Sequence, residues 1–293
     1  MGNGALMIKL TEYLPQIEDL IDRSLEEDLA TGDITTDCLI PAHAKGKASF
    51  ISKSAGTLAG IEVAGMVFLK VDPFLKYSPL AADGNHIKPN DVLASISGNI
   101  ADILKAERTA LNFLQHLSGV ATLTARYMEL VKGLPVKILD TRKTVPGMRV
   151  LEKYAVSVGG GTNHRLGLGD LVLIKDNHIA ILHKGGLDIH EIVKQARGKS
   201  ARNIKIEIET TSPEDALAAA KAGADIVMLD NMGLSEMRRA VELVNHKAIL
   251  EASGGVNLDT VRAIAETGVD WISVGALTHS ARTLDINLEL VEF

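Results

Sequence analysis

A single cysteine, Cys38, in 293 residues excludes a disulfide framework and a cysteine-based zinc site, and it suits a reducing compartment. No apolar run approaches the ~18 residues that a membrane helix requires. The opening segment, Met1–Gln16, has no basic region followed by a long apolar core, so it does not read as an export signal. An excess of positive charge is also missing. Lys and Arg number 31 against 37 Asp and Glu, and a net charge of −6 argues against general nucleic-acid binding. No histidines sit at metal-ligand spacing, and His43, His86, His183, His190 and His246 read as surface residues. Neither a P-loop nor a G-x-G-x-x-G fingerprint after a strand occurs, which disfavours a nucleotide-binding open sheet. What the chain does have is 46% apolar residues, enough for a substantial core. The reading is a soluble, cytoplasmic, globular protein of two ordinary domains, or one large barrel with an appendage.

Charge is unevenly placed. Between Val136 and Lys175 lie Lys137, Arg142, Lys143, Arg149, Lys153, Arg165 and Lys175, against only Asp140, Glu152 and Asp170. A basic island in an acidic chain points to a site for an anionic small molecule. Arg149 and Lys153, four residues apart, are read instead as a solvated helix face.

The first ~115 residues have mixed α and β character. Leu14, Ile17, Leu20, Ile21 and Leu25 recur at helical spacing behind Pro15, and Glu27-Asp28 with Thr31-Gly32-Asp33 should end that helix. Strand-like runs follow at Ala48–Ser52, Gly56–Ile61 and Val92–Ile96. A second helix over roughly Ile103–Leu117 carries Ile103, Ala106, Ala110, Leu114 and Leu117 on one stripe, with Glu107 inside it and Arg108 on its rim. After Gly133 the rhythm becomes strand–helix alternation. Its strands are Val136–Leu139, Leu171–Ile174, Ile204–Ile208, Ile226–Leu229, Ala248–Leu250 and Trp271–Val274, with a seventh expected near Ala155–Val158. Ser212 should cap a helix from Pro213 to Gly223, and Asn257 one over Leu258–Thr267. This order favours a parallel barrel, complete or incomplete, over a doubly wound open sheet.

In such a barrel the carboxyl ends of all strands share one face, where active sites sit. Each strand here delivers polar residues to that rim: Asp140–Lys143, Lys175–His178, Glu209, Asp230-Asn231, Glu251–Gly255 and Gly275. Arg142, Lys143, Arg165 and Lys175 suit carboxylates and phosphates. Glu209 and Asp230 could accept sugar hydroxyls or hold Mg²⁺ through water. Ser253-Gly254-Gly255 and Gly275-Ala276 fall where barrels bind phosphate on backbone N–H groups. Gly159-Gly160-Gly161 permits close backbone approach to a ligand, and His164 is either a capped loop histidine or part of the site.

These residues resemble the quinolinate phosphoribosyltransferases. The resemblance runs through Glu27–Thr36, Glu107–Asn112, Thr141–Thr144, Leu151–Val156, Gly159–Arg165, Leu173–His178, Ile206–Glu209, Leu229–Asn231, Glu251–Gly255 and Val274–His279. It departs at Val145, often Thr in the family, and at Asn90, often Gly there, which tolerates a left-handed turn. The resemblance implies an amino-terminal α/β sandwich domain (1–116, joined by the tail 282–293) and an incomplete, TIM-like α/β barrel (117–281). It implies transfer of phosphoribose from phosphoribosyl pyrophosphate to quinolinate, giving nicotinate mononucleotide, pyrophosphate and CO₂, with Mg²⁺ as cofactor. It further implies a homodimer or larger assembly in which Arg108 reaches the partner's site; Glu107 beside it is read, on its position alone, as held by hydrogen bonds near that interface. Quinolinate would then meet Arg108, Arg142, His164, Arg165 and Lys175, and the pyrophosphate Lys143. Glu209 and Asp230 would serve the ribose and Mg²⁺, and Ser253–Gly255 with Gly275, Ala276 and His279 the 5′-phosphate. A related pyrophosphorylase acting on another anionic acceptor, a Schiff-base aldolase built on Lys175 and a non-catalytic anion sensor are the competing readings.

Overall fold

The computed structural model describes residues 8–292; the first seven, on which the export-signal reading partly rests, lie outside it. After a 3-10 turn at Leu10–Glu12 come α1 (Leu14–Leu29), α2 (Ile34–Leu39), β1 (Lys45–Ser52) and β2 (Gly56–Thr57). Then follow α3 (Ile61–Val71), β3 (Lys76–Pro79), β4 (His86–Ile87), β5 (Val92–Asn99) and the long α4 (Ile100–Leu130). The alternating part comprises β6 (Lys137–Leu139), α5 (Arg149–Val158), β7 (Val172–Ile174), α6 (Asp176–Lys184), α7 (Ile189–Lys199) and β8 (Ile206–Thr210). It continues with α8 (Pro213–Ala222), β9 (Ile226–Asp230), α9 (Leu234–Val244), β10 (Ile249–Ser253), α10 (Val261–Ala265), β11 (Trp271–Ser273), α11 (Ala276–His279) and β12 (Ile286–Glu292). Among the described residues no helix is long and apolar enough to cross a membrane.

One compact unit comprises, among the described residues, 8–125, 144–160 and 277–292. Its antiparallel sheet runs β12-β1-β5-β3, so the tail does return to pair with β1, Ser52 opposite Ile286 and Phe50 opposite Leu288. Phe50 meets Phe68 of α3 edge-on at 5.9 Å, and both rings are fully buried. Ile17, Ile21 and Leu25 of α1 are buried as their spacing requires, with Pro15 in the first turn. That helix runs on through Glu27 and Asp28 to Leu29; Asp33 instead caps a short helix, its carboxylate accepting from Thr36 N at 3.0 Å. The Gly56–Ile61 run is strand only at its first two residues, because Ile61 opens α3. The stripe of Ile103, Ala106, Ala110, Leu114 and Leu117 is fully buried, on a helix about twice the expected length. Asn90 does take the left-handed conformation, at φ 74°.

Two expectations for 149–161 fail. Ala155–Val158 is the end of α5, not a strand. Lys153 is fully buried, not part of a solvated face with Arg149. The buried residues Leu151, Glu152, Lys153, Ala155 and Val156 span roughly 200° of the helix circumference at ~100° per residue, so little of α5 faces water. Its buried carboxylate is satisfied: Glu152 Oε1 meets His116 Nε2 at 2.8 Å and Oε2 accepts from Val145 N at 3.1 Å. Gly159 serves packing, since a Cβ there would lie 2.5 Å from the Ala121 carbonyl of α4.

The other unit, 126–143 and 161–276 among the described residues, holds a six-stranded sheet ordered β6-β11-β10-β9-β8-β7. Every neighbouring pair is parallel, and the sheet does not close into a complete barrel. All six expected strands are present. The place beside β6 is taken by a single parallel bridge, Leu139 to Thr162, in which Thr162 N donates to Ile138 O at 2.8 Å. Ser212 caps α8, accepting from Asp215 N at 3.1 Å, and the helix closes at Gly223. The Asn257 carboxamide accepts from Asp259 N and Thr260 N, but the helix that follows is only Val261–Ala265.

Candidate active site

Parallel strands fix which residues meet. Side chains alternate along a strand, so Glu207 and Glu209 of β8 share a face, as do Met228 and Asp230 of β9, and Glu251 and Ser253 of β10. Register sets Ser253 against Asp230, and Asn231 N donates to Ser253 O at 2.9 Å. The result is two tiers, with Glu207 and Glu251 below and Glu209, Asp230 and Ser253 at the carboxyl-end rim. A cavity of about 340 Å³ opens there, lined by Arg142, Lys143, His164, Arg165, Lys175, Glu209, Asp230 and Ser253, with Thr141, Glu251 and Ser273 also in its wall.

The loop after β6 is held from beneath. Asp140 is fully buried and accepts from Asn163 Nδ2 at 2.7 Å and from His164 N at 2.8 Å, which anchors the 162–165 segment to the strand end. Arg165 lies against Leu171 O at 3.5 Å, and both its burial and the neighbouring Arg142 charge lower its pKa. Arg142 Nε is buried and has no hydrogen-bond partner. Two guanidinium groups are therefore brought together at a site where one buried N–H is unanswered, a costly arrangement unless an anion completes it.

Lys175 Nζ lies 3.1 Å from Glu209 Oε1, while Glu209 Oε2 accepts from Asp176 N at 2.9 Å at the start of α6. Lys175 N in turn donates to His178 Nδ1 at 3.0 Å. Asp230 Oδ2 accepts from Asn231 Nδ2 at 3.1 Å. Below the rim, His164 Nε2 is 3.1 Å from Glu207 and 3.4 Å from Glu251. Burial opposes a charged ring and the two carboxylates favour one, raising the His164 pKa, but the Arg165 N–H donated to Nδ1 at 2.8 Å requires that nitrogen unprotonated and so favours the neutral ring with its proton on Nε2. Glu251 also accepts from Ser273 Oγ at 2.5 Å. Burial first, and the Glu251 charge second, push the Glu207 pKa up.

Residues 33–118 match the quinolinate phosphoribosyl transferase N-terminal domain, and residues 120–289 match the C-terminal domain. The chain belongs to the quinolinate phosphoribosyl transferase family. A nicotinate-nucleotide pyrophosphorylase [carboxylating] of Mycobacterium leprae is 41% identical over 278 residues, 93% of this chain and 96% of that protein. A probable nicotinate-nucleotide pyrophosphorylase [carboxylating] of Synechocystis is 39% identical over 94% of this chain and 92% of its own length. Among solved structures, NadC from Streptococcus pyogenes superposes with a TM-score of 0.90 at 38% identity, covering 95% of this chain and 97% of that one.

Within this member of the family, eight of the expected site residues converge on one cavity. Gly254, Gly255, Gly275 and Ala276 sit at the same strand ends but outside the cavity wall. Gly254 is left-handed, at φ 93°, and a Cβ there would collide with the Asn231 carboxamide. His279 is exposed, falls in the other unit and bonds Ser280 Oγ at 2.6 Å. Arg108 also lies in that unit, exposed, beside a separate cavity of about 510 Å³ that Glu27, Asp28 and His116 help to line. Burial raises the pKa of half-buried Glu107, and the Arg108 charge opposes the shift. His43, His86, His183 and His246 are exposed as expected, while His190 is half-buried. Glu207 and Ser273 were given no role by the sequence, and Glu251, expected among the rim residues after its strand, lies buried within β10 below the rim. For the two glutamates the signal is faint: a charged residue two positions before a rim residue, inside an apolar strand.

Proposed function

We propose that the rim cavity binds quinolinate and phosphoribosyl pyrophosphate and joins them as in its family, releasing pyrophosphate and CO₂ to give nicotinate mononucleotide. The observation that carries this reading is Arg142, whose Nε is buried and unpartnered at a cavity also lined by Arg165, Lys143 and Lys175. Vicinal carboxylates on a planar ring complement such guanidinium forks, whereas a neutral ligand would leave them uncompensated. Arg142, Arg165 and Lys175, with His164 in the wall beside them, are assigned to the diacid. Lys143 is assigned to the pyrophosphate, and Ser253–Gly255 with Gly275, Ala276 and His279 to the 5′-phosphate.

The ring nitrogen attacks the anomeric carbon as its bond to the pyrophosphate oxygen breaks, through an oxocarbenium-like state. Catalysis is then largely positioning plus stabilisation of departing negative charge by Lys143. N-ribosylation leaves the ring cationic, so the adjacent carboxylate departs as CO₂, its bonding pair remains on the ring carbon, and a solvent-derived proton completes the product. Glu209 and Asp230 suit a magnesium ion: both offer hard carboxylate oxygens at the rim, and the exposed Lys175 partner of Glu209 is readily displaced. Bound there through water, Mg²⁺ would neutralise pyrophosphate charge. We assign Arg108 to the site of a second copy of the chain in a homodimer, and the reaction to the cytoplasm.

Product analysis tests this reading. With quinolinate, phosphoribosyl pyrophosphate and Mg²⁺, equimolar nicotinate mononucleotide, pyrophosphate and CO₂ should appear. Chelating the metal should stop turnover, and nicotinate should not replace quinolinate. Turnover of nicotinate at a comparable rate would refute the diacid assignment.

A further inference from the structure

The two glutamates beneath the rim have no part in the chemistry just described, yet both are fully buried beside it. Glu207 and Glu251 are both 0% exposed. Neither Glu207 oxygen has a well-formed hydrogen bond, and Glu251 Oε2 has none either. A desolvated carboxylate without a well-formed partner is costly. Both converge on one atom, His164 Nε2, and the three ligating groups lie within 4.8 Å of one another.

A cluster of this composition resembles a transition-metal site, but the other ring nitrogen decides against that. His164 Nδ1 accepts the backbone N–H of Arg165 at 2.8 Å, so the ring proton in this geometry belongs on Nε2. A metal would need the Nε2 lone pair and would drive the proton onto Nδ1, against that N–H. With the proton on Nε2, the ring presents that N–H to the two carboxylates, 3.1 and 3.4 Å away, and accepts from Arg165 on its other side. The Glu207 charge also acts directly on Arg165.

We infer that Glu207 and Glu251 are positioning residues, which clamp the His164 ring from below and through it fix Arg165 at the acceptor end of the cavity. The chain Glu207–His164–Arg165 passes from the sheet floor to the rim in three residues, and Ser273 holds Glu251 in place by its hydroxyl. The clamp acts on the diacid half of the site. The rim groups assigned to the sugar donor, Asp230 and Ser253, are held by the pairing of their own two strands.

This inference rests on the acceptor assignment above, and steady-state kinetics on the full chain separates the two. In Glu207→Ala, KM for quinolinate should rise at least tenfold while KM for phosphoribosyl pyrophosphate stays within twofold. Glu207→Gln, whose amide oxygen can still accept from Nε2, should restore the quinolinate KM to within about threefold of the parent. Adding His164→Ala to Glu207→Ala should cause little further loss, since the two act as one unit. Should Glu207→Ala not fold, Glu251→Ala and Glu207→Asp carry the same test, with the quinolinate KM as the quantity that moves. Equal rises in both KM values, losses that add, or a Gln variant as impaired as Ala would overturn the clamp. So would a stoichiometric transition metal that copurifies and is lost in Glu207→Gln. If the parent chain turns over no quinolinate, the acceptor assignment itself fails, which is a different result.

Discussion

At the scale of single residues, the site is a problem of unbalanced charge. Arg142 brings a cation to a place where its Nε is out of water and unbonded, next to Arg165. An empty pocket of this kind is destabilised, and the ligand's carboxylate relieves it, so the cost of the arrangement reappears as binding and transition-state stabilisation. Arg142→Ala should therefore lose about 2 kcal/mol or more of transition-state stabilisation, roughly a 30-fold fall in kcat/KM for quinolinate. Arg142→Lys should recover little of it, because a point charge lacks the planar fork. Near-parental kcat/KM in Arg142→Ala would remove this residue from the site. The same scale shows why residue type misleads: Lys153 is charged and was expected in water, yet it is fully buried. Charge of one side chain does not reveal whether a partner will be brought to it.

Elements were read most securely where local chemistry terminates them. Ser212 with Pro213 starts α8, and Gly223 ends it, because cap and stop signals are contained within a few residues. The short helix α2 was missed because its cap, Asp33, was read as ending the preceding helix. That cap makes a pH-dependent prediction. Its hydrogen bonds with Thr36 hold the Asp33 pKa below the usual 3.8, so the folded state favours the ionised form. The stabilisation is present above the unfolded pKa and is lost as pH falls through the lower, folded one. Asp33→Ala should thus lower Tm at neutral pH, with the difference from the parent shrinking below about pH 4, whereas Asp33→Asn should be milder. A Tm deficit in Asp33→Ala that is unchanged at low pH would show that the cap's charge is not involved. The barrel strands were legible from apolar runs, but α5 was partly mistaken for a strand, since Ala155–Val158 is short and apolar in either form.

On the scale of the whole molecule, the two compact units are not simple halves of the chain. Residues 144–160 belong with the amino-terminal unit although β6 precedes them and Thr162 rejoins β6. The loop carrying Arg142 and Lys143 is thus at the end of the barrel unit's first segment, immediately before the chain leaves it. Arg108, in the amino-terminal unit, is assigned to the site of a second copy. Mixing inactive Arg108→Ala with inactive Lys143→Ala should then restore partial activity, because one site of the mixed dimer receives both intact side chains. Absence of recovery after subunit exchange has been verified would argue against a shared site.

The sequence by itself determined the order of six strands and their helices, the stop and start signals around α8, and the supply of cations and carboxylates to strand ends. Those features depend on periodicity and on groups a few residues apart, and both are written locally. Tertiary structure alone decided that His164 sits over Glu207 and Glu251, that Glu209 is held by Lys175 and the start of α6, and that a lone bridge at Thr162 stands beside β6. Each of these joins residues more than twenty positions apart through strand register and burial, and neither quantity exists until the sheet has formed.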